Sequence, residues 1–290
     1  MTFTELRVRD AMHQRAMTIN PNDTLPSAAA LMDQLGIKRV PVVFEGKVVG
    51  LLTDGEVKRR LPRVSQGLTA WEFAAQAGRV RVRDAMHQPV HTLRPGDTLS
   101  RALHTMLDRR IGGLPVVGEQ DDLLGMLTLT DILRAGAKTP DPAWGSVGEH
   151  MSRDVVSVTS HAPASEGVAK LRQGRRRVLP VLEGGMLLGV LHEVDVAAAL
   201  EREAASEPRP PHLAHPGRTA VPPVPEHWTV RDLMRAPTGR VRPETPLGEV
   251  MAKMLELDVH GLPVVDSGDH VVGVVTISDV LKAVLGGPQP

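Results

Sequence analysis

Apolar residues recur along this chain in two alternating rhythms, and the same succession appears four times. Leu25, Ala28, Ala29, Met32 and Leu35 share one face of a helix. Leu99, Ala102, Leu103 and Met106, with Ile111 close behind, repeat that stripe, and Leu247, Val250, Met251, Met254 and Leu255 repeat it again. A short extended segment precedes the helix, around Thr18-Ile19, Thr92-Leu93 and Ser157-Val158. Two β-rich runs around a turn follow it, as in "RVPVVFEGKVVGLLT" and "GLPVVDSGDHVVGVVT", which reads as a hairpin. The runs are nearly continuously apolar, as strands covered on both faces are. A second helix then starts, for example at Thr276-Ile-Ser-Asp279. The predicted unit is strand, helix, strand, strand, helix, and the class is α+β. Two local expectations follow. Gly167 and Gly174 weaken or distort the first helix of the third unit, each costing about 1 kcal/mol against Ala. Thr245 caps a helix whose first residue is Pro246.

Fixed landmarks give the period. Each unit opens with V-x-x-x-M: Val8–Met12, Val82–Met86, Val147–Met151 and Val230–Met234. A proline stands 29 residues after each methionine, at 41, 115, 180 and 263, and a G-h-h-x-x-x-[DE] segment ends at Glu56, Asp131, Asp195 or Asp279. A constant spacing of this kind marks a repeated supersecondary unit. The units are 8–62, 82–136, 147–201 and 230–285. From methionine to hairpin glycine the spacing is 38 residues in units 1 and 3 and 39 in units 2 and 4. This pairs the units into modules 8–136 and 147–285, with the proline-rich stretch 202–229 as a linker inside the second module. "TAWEFAAQ", within the linker 61–81, reads as helical. Units of this size bury too little surface to be robust alone and should pack on one another.

Composition narrows the function. Lys plus Arg equals Asp plus Glu, so net charge is zero, and aromatic residues are almost missing. Neither suits a nucleic-acid binder, and stacking platforms for single strands are few. There is no cysteine, no apolar leader and no apolar run of membrane-span length, so the expectation is a soluble cytoplasmic protein with no membrane association. Arg supplies 27 of the 34 basic residues, which suits phosphate and carboxylate contacts. No histidine pair has metal-binding spacing, so no metal is expected; His13 and His87 occupy equivalent places after a methionine and read as repeat inheritance. No phosphate loop or nucleophile elbow appears.

The segments "GVVTISD" (273–279), "GMLTLTD" (125–131) and "GLLTDGE" (50–56), with the "LPVV" strands at 114–117 and 262–265, resemble the cystathionine-β-synthase (CBS) domain family. The likeness covers nearly the whole chain apart from linkers. It implies four CBS units in two pseudo-dimeric Bateman modules, adenosine nucleotides or related ligands in the clefts between paired units, and regulation of an attached or partner protein. The chain is then a non-catalytic sensor that needs no cofactor, binds an adenine nucleotide (AMP, ADP, ATP or S-adenosylmethionine), and forms a homodimer. The alternatives are a structural oligomerisation module with vestigial sites and an enzyme built on the same fold.

The chemistry of T-x-x-D can be argued from its atoms. A carboxylate accepts from both ribose hydroxyls, in charge-assisted bonds of about 1.5–3 kcal/mol each. A threonine at a helix start lies beside free backbone N–H groups that favour phosphate. The same spacing is also close to a capping box, so both readings stand. The copies differ. Thr128/Asp131 and Thr276/Asp279 are complete, whereas unit 1 has Thr53 with Glu56, and unit 3 has His192 with Asp195. Leading into the hairpin, units 1 and 3 carry basic residues (Lys38-Arg39; Arg175 to Arg177), and units 2 and 4 carry Gly112-Gly113 and His260-Gly261. By the resemblance, Asp131 faces Lys38, Arg39 and Val40 with Thr18 nearby. Asp279 likewise faces Arg177 and Val178 with Ser157 nearby. Thr53, Glu56, His192 and Asp195 form the degraded counterparts, giving two nucleotides per chain.

Overall fold

A computed structural model describes residues 2–61, 78–173, 176–206, 224–237 and 239–286. The helix expected in "TAWEFAAQ", Gly174, Arg175 and most of the proline-rich linker lie outside the described residues. Unit 1 contains α1 (Leu25–Leu35), β1 (Arg39–Phe44), β2 (Lys47–Thr53) and α2 (Asp54–Arg60). Unit 2 contains α3 (Leu99–Asp108), β3 (Gly113–Val117), β4 (Leu123–Thr128) and α4 (Leu129–Lys138). Unit 3 contains α5 (Ala164–Gln173), β5 (Val178–Glu183), β6 (Met186–His192) and α6 (Glu193–Ser206). Unit 4 contains α7 (Leu247–Glu256), β7 (Gly261–Val265), β8 (Val271–Thr276) and α8 (Ile277–Gly286). Among the described residues no helix is long and apolar enough to cross a membrane.

Three sequence expectations need adjustment. The first strand shrinks to a single parallel bridge in units 1, 2 and 4 (Ile19 to Val42, Leu93 to Val116, Val241 to Val264). Only in unit 3 does it become a two-residue strand, Val158–Thr159. That bridge explains the recurring proline. In unit 1, Ile19 N–H donates to the Pro41 carbonyl and Val43 N–H to Ile19, so the missing N–H of Pro41 is never needed. Next, α5 runs the same ten residues as α3 and α7. Gly167 is a packing site within it: a Cβ there would lie 3.0 Å from both Leu191 Cδ2 and Val230 Cγ2. Last, α7 starts at Leu247 with Pro246 as its extended N-cap, and the Thr245 hydroxyl accepts instead from Arg242 N–H at 3.0 Å.

The one-residue difference between odd and even units lies in the hairpin loops. Odd hairpins close through two residues with positive φ, Glu45-Gly46 (49° and 79°) and Gly184-Gly185 (57° and 86°). This is the tight turn that matches strand twist. Even hairpins close over a longer loop in which Gly118 N–H donates to Asp122 O and Asp266 N–H to His270 O. There Asp121 (φ 61°) and Asp269 (φ 62°) take the left-handed position.

The opening V-x-x-x-M elements are exchanged within each pair. Val8 N–H donates to Asp97 O of unit 2, and Val82 N–H to Asp23 O of unit 1. Val147 N–H donates to Thr245 O of unit 4, and Val230 N–H to Ala162 O of unit 3. The four valines are fully buried, each in its partner's core. Each such side chain contributes on the order of 1.5–3 kcal/mol to holding the pair together. The chain beyond the methionine then adds an edge to the partner's second hairpin strand. His13-Gln14 pair with β4, His87 with Leu51 on β2, Ser152 with Val274 on β8, and Arg235 with Val190 on β6. The hairpin glycine makes room for this crossing: a Cβ on Gly273 would lie 2.5 Å from Met151 Sδ.

The modules meet through units 2 and 4, which share one apolar core. Helix α4 lies along α7 and α3 against α8. Gly136 permits the close approach, since a Cβ there would sit 2.7 Å from Met251 Sδ. Phe3 and Trp144 close the same core edge-to-face, with ring centroids 5.8 Å apart.

Candidate functional site

The exchange builds four equivalent clefts. Each combines the start of the second helix of one unit with two pieces of the paired unit: the segment after its methionine and the residues leading into its hairpin. Much of this lining opens on a central cavity of about 1950 Å³ to which all four units contribute.

In the cleft of Asp131, Thr128 caps α4 through Asp131 N–H (3.3 Å), while the carboxylate accepts from Thr128 N–H (2.8 Å) and its hydroxyl (2.5 Å). The capping reading of T-x-x-D is therefore satisfied, and both carboxylate oxygens have basic side chains beside them as well. His13 Nδ1 of unit 1 lies 3.1 Å from Oδ2 and Arg134 3.2 Å from Oδ1. Arg39 lies across Gly112-Gly113 and donates to Gly112 O at 2.9 Å. Gly113 touches both Arg39 and Thr128, so the strand lead-in of unit 1 and the helix start of unit 2 are adjacent. Burial, and then the neighbouring Arg177, hold the Arg39 pKa below its usual value, while Asp131 acts in the opposite direction.

The cleft of Asp279 differs at the places that His13 and Arg39 hold in the first cleft. Its carboxylate again accepts from Thr276 N–H (2.9 Å) and hydroxyl (2.6 Å), but the residue after the methionine is Ser152. Among the described residues no cation lies within 4 Å of Asp279. Arg177 lines the same cavity yet is bonded to Glu193 of its own unit at 3.1 Å. The side chain beside Gly261 and Thr276 is Val178, which stands where Arg39 stands in module 1.

The other two carboxylates are buried and engaged. Glu56 pairs with His87 Nε2 (3.0 Å) and Arg59 (3.1 Å), and its N–H reaches Thr53 Oγ1 (3.3 Å). Asp195 pairs with Arg235 through Oδ1, while its buried Oδ2 has no hydrogen-bond partner. Burial raises the Asp195 pKa against the opposing pull of Arg235. Burial, then Arg235 and His260, push His192 down to about 4, so its imidazole is neutral near pH 7. His192 and Arg235 line a separate cavity of about 40 Å³.

Of the residues read from the sequence, Lys38, Arg39, Thr53, Glu56, Thr128, Arg177, Val178, Thr276 and Asp279 line the central cavity. Val40 points into the core of unit 1. Thr18 is exposed, and Ser157 is half-buried with its carbonyl accepting from Lys170 Nζ at 3.1 Å. Arg15, Met17 and Val156 line the cavity from those segments instead. The residues missed were those after each methionine: His13, His87, Ser152 and Arg235. Their signal was positional equivalence, which showed no partner until the exchange was seen. Among the described residues no cluster of His, Asp and Glu could hold a metal ion.

Comparison with known proteins fits this geometry. The CBS domain model matches residues 8–63, 82–138, 147–202 and 221–286. The uncharacterized protein MJ1225 of Methanocaldococcus jannaschii is 28% identical over 282 residues, 94% of this chain and 96% of that one. Its crystal structure, proposed as an archaeal homologue of g-AMPK, superposes with a TM-score of 0.67 at 22% identity, covering 96% of this chain and 99% of that one. An uncharacterized protein of Pyrococcus horikoshii gives the same TM-score and identity over 97% of this chain and all of that one. The human 5'-AMP-activated protein kinase subunit gamma-3 is 28% identical over 69% of this chain and 41% of that subunit. With four matches spanning most of its length, the chain belongs to the CBS domain family.

Proposed function

We propose that this chain is a regulatory sensor that binds an adenosine nucleotide in the clefts between paired units and has no catalytic role. One observation carries the reading: Thr128, which starts the helix bearing Asp131, lines one cavity with Lys38 and Arg39 of the paired unit, as Asp279 does with Arg176 and Arg177. A ribose diol at the carboxylate and a phosphate toward Lys38, Arg39 or Arg176 would use both charges. The name of the human relative, a subunit of a kinase activated by AMP, supports the ligand class and a regulated protein partner. Two nucleotides per chain are expected, at Asp131 and Asp279. Arg235 already engages Asp195 and leaves that cleft the least open. The same reading includes a homodimer, tested by light scattering.

The complete capping box at Thr128/Asp131, and the bonds from Thr276 N–H and hydroxyl to Asp279, favour a second reading, in which the motif is structural and the chain is an assembly module. Calorimetry with AMP, ADP, ATP and S-adenosylmethionine decides between the two. The sensor reading expects two sites for at least one of them, lost in the double variant Asp131→Ala/Asp279→Ala. Binding unchanged in that variant removes the site assignment, and binding of none of the four favours the structural module.

A further inference from the structure

Units 1 and 3 face each other differently from units 2 and 4. The latter share a core, whereas units 1 and 3 keep separate cores. No comparable helix contact joins α1 or α2 to α5 or α6 among the described residues. Between units 1 and 3 lies the central cavity, walled by Lys38 and Arg39 on one side and Arg176 and Arg177 on the other. Nine Lys and Arg line the whole cavity against four Asp and Glu, in a chain of zero net charge. Among the described residues no carboxylate lies within 4 Å of Lys38, Arg39 or Arg176. Among the described residues the ion-pair partner of Arg177 is Glu193, in an exposed pair that is readily given up.

We infer that this seam between units 1 and 3 binds a linear oligophosphate of two or three phosphates, and that binding draws the two units together. Like charges on facing low-dielectric walls concentrate positive potential and attract a multivalent anion. Guanidinium forks match phosphate oxygens in pairs, so one anion can engage both sides. The shared core of units 2 and 4 is the fixed side about which the seam narrows. Lys38 and Arg39 of the first module and Arg177 and His260 of the second all line this one cavity. The phosphates could be free or the tail of a nucleotide, and the inference does not depend on an adenosine being held in any cleft.

The test uses inorganic tripolyphosphate, ATP and AMP on the full chain. Because the chain lacks cysteine, Phe44→Cys and Met186→Cys, at exposed hairpin positions of units 1 and 3, can carry a pair of spin labels. Tripolyphosphate is expected to bind with an affinity that falls as salt rises, and to shorten the label distance; AMP leaves that distance unchanged. The surface variant Arg176→Gln/Arg177→Gln should weaken tripolyphosphate binding at least tenfold, as should Lys38→Gln/Arg39→Gln. ATP binding that needs Arg176 and Arg177, without tripolyphosphate binding, assigns the seam to a nucleotide tail. Tripolyphosphate binding that survives both variants, or a label distance that does not move on binding, overturns the inference. So does failure of both tripolyphosphate and ATP to bind, and AMP binding in that case leaves the nucleotide reading standing.

Discussion

His13 of the first unit sits 3.1 Å from Asp131 of the second, and with Ser152 in the corresponding place of the third unit, Asp279 has no basic side chain within 4 Å among the described residues. The residue after the methionine thus helps set how available each cleft carboxylate is, beside Arg134 at Asp131 and Arg59 at Glu56. Installing a cation there should occupy Asp279 as Arg235 occupies Asp195. Ser152→Arg is therefore expected to weaken AMP binding at the Asp279 cleft by about tenfold or more, the loss of one charge-assisted bond to ribose. Calorimetry reads this as one of two sites weakened, and two unaltered sites would show that Asp279 does not contact the ligand.

The Gly–Met crossing makes a prediction with internal contrast. A Cβ on Gly50 meets the side chain of Met86, whereas a Cβ on Gly125 meets the backbone carbonyl of His13. A side chain can swing aside; a backbone held in a strand pairing cannot. Gly50→Ala should cost about 1–3 kcal/mol and be partly rescued by Met86→Ala, whereas Gly125→Ala should cost more and gain nothing from Met12→Ala. Thermal denaturation of the four single and two double variants checks the pattern, and equal rescue at both sites would contradict it.

These contacts mark where sequence reasoning stops. The period, the hairpins and the pairing of odd with even units were legible because helix faces, proline and glycine impose local spacing. The exchange was not, since Val8 is an apolar residue before an apolar helix whichever core receives it. The contrast between basic and glycine lead-ins was visible, and its reason is steric: Arg39 occupies the space that a side chain at 112 or 113 would need. The choice between capping box and ligand holder was beyond the sequence as well, because the same two atoms serve both.

Asp195 has one oxygen paired to Arg235 and the other buried without a partner. Removing Arg235 leaves that charge uncompensated. Arg235→Ala should destabilise the chain by about 1–3 kcal/mol at pH 7, below the range for fully buried pairs because the arginine is 56% exposed. Arg235→Ala/Asp195→Asn should recover much of the loss, as chemical denaturation would show. An equal loss in single and double variants would place the role of Arg235 in packing rather than charge.

Acid should expose His192. Its native pKa of about 4 lies below the ordinary 6.5, so between these values the unfolded chain holds a proton that the native chain refuses. Stability from this group is complete above pH 6.5 and is lost as pH falls toward 4, by at most about 1.4 kcal/mol per pH unit. Asp195 acts with the opposite sign, since its raised native pKa makes stability fall as pH rises through it. The total curve therefore mixes the two, and a difference isolates the histidine. Gln is similar in bulk and does not titrate, so His192→Gln should flatten the decline between pH 6.5 and 4.5 relative to the parent. Denaturant melts at half-unit intervals measure this directly, and parallel curves for the two proteins would mean that folding does not shift the His192 pKa.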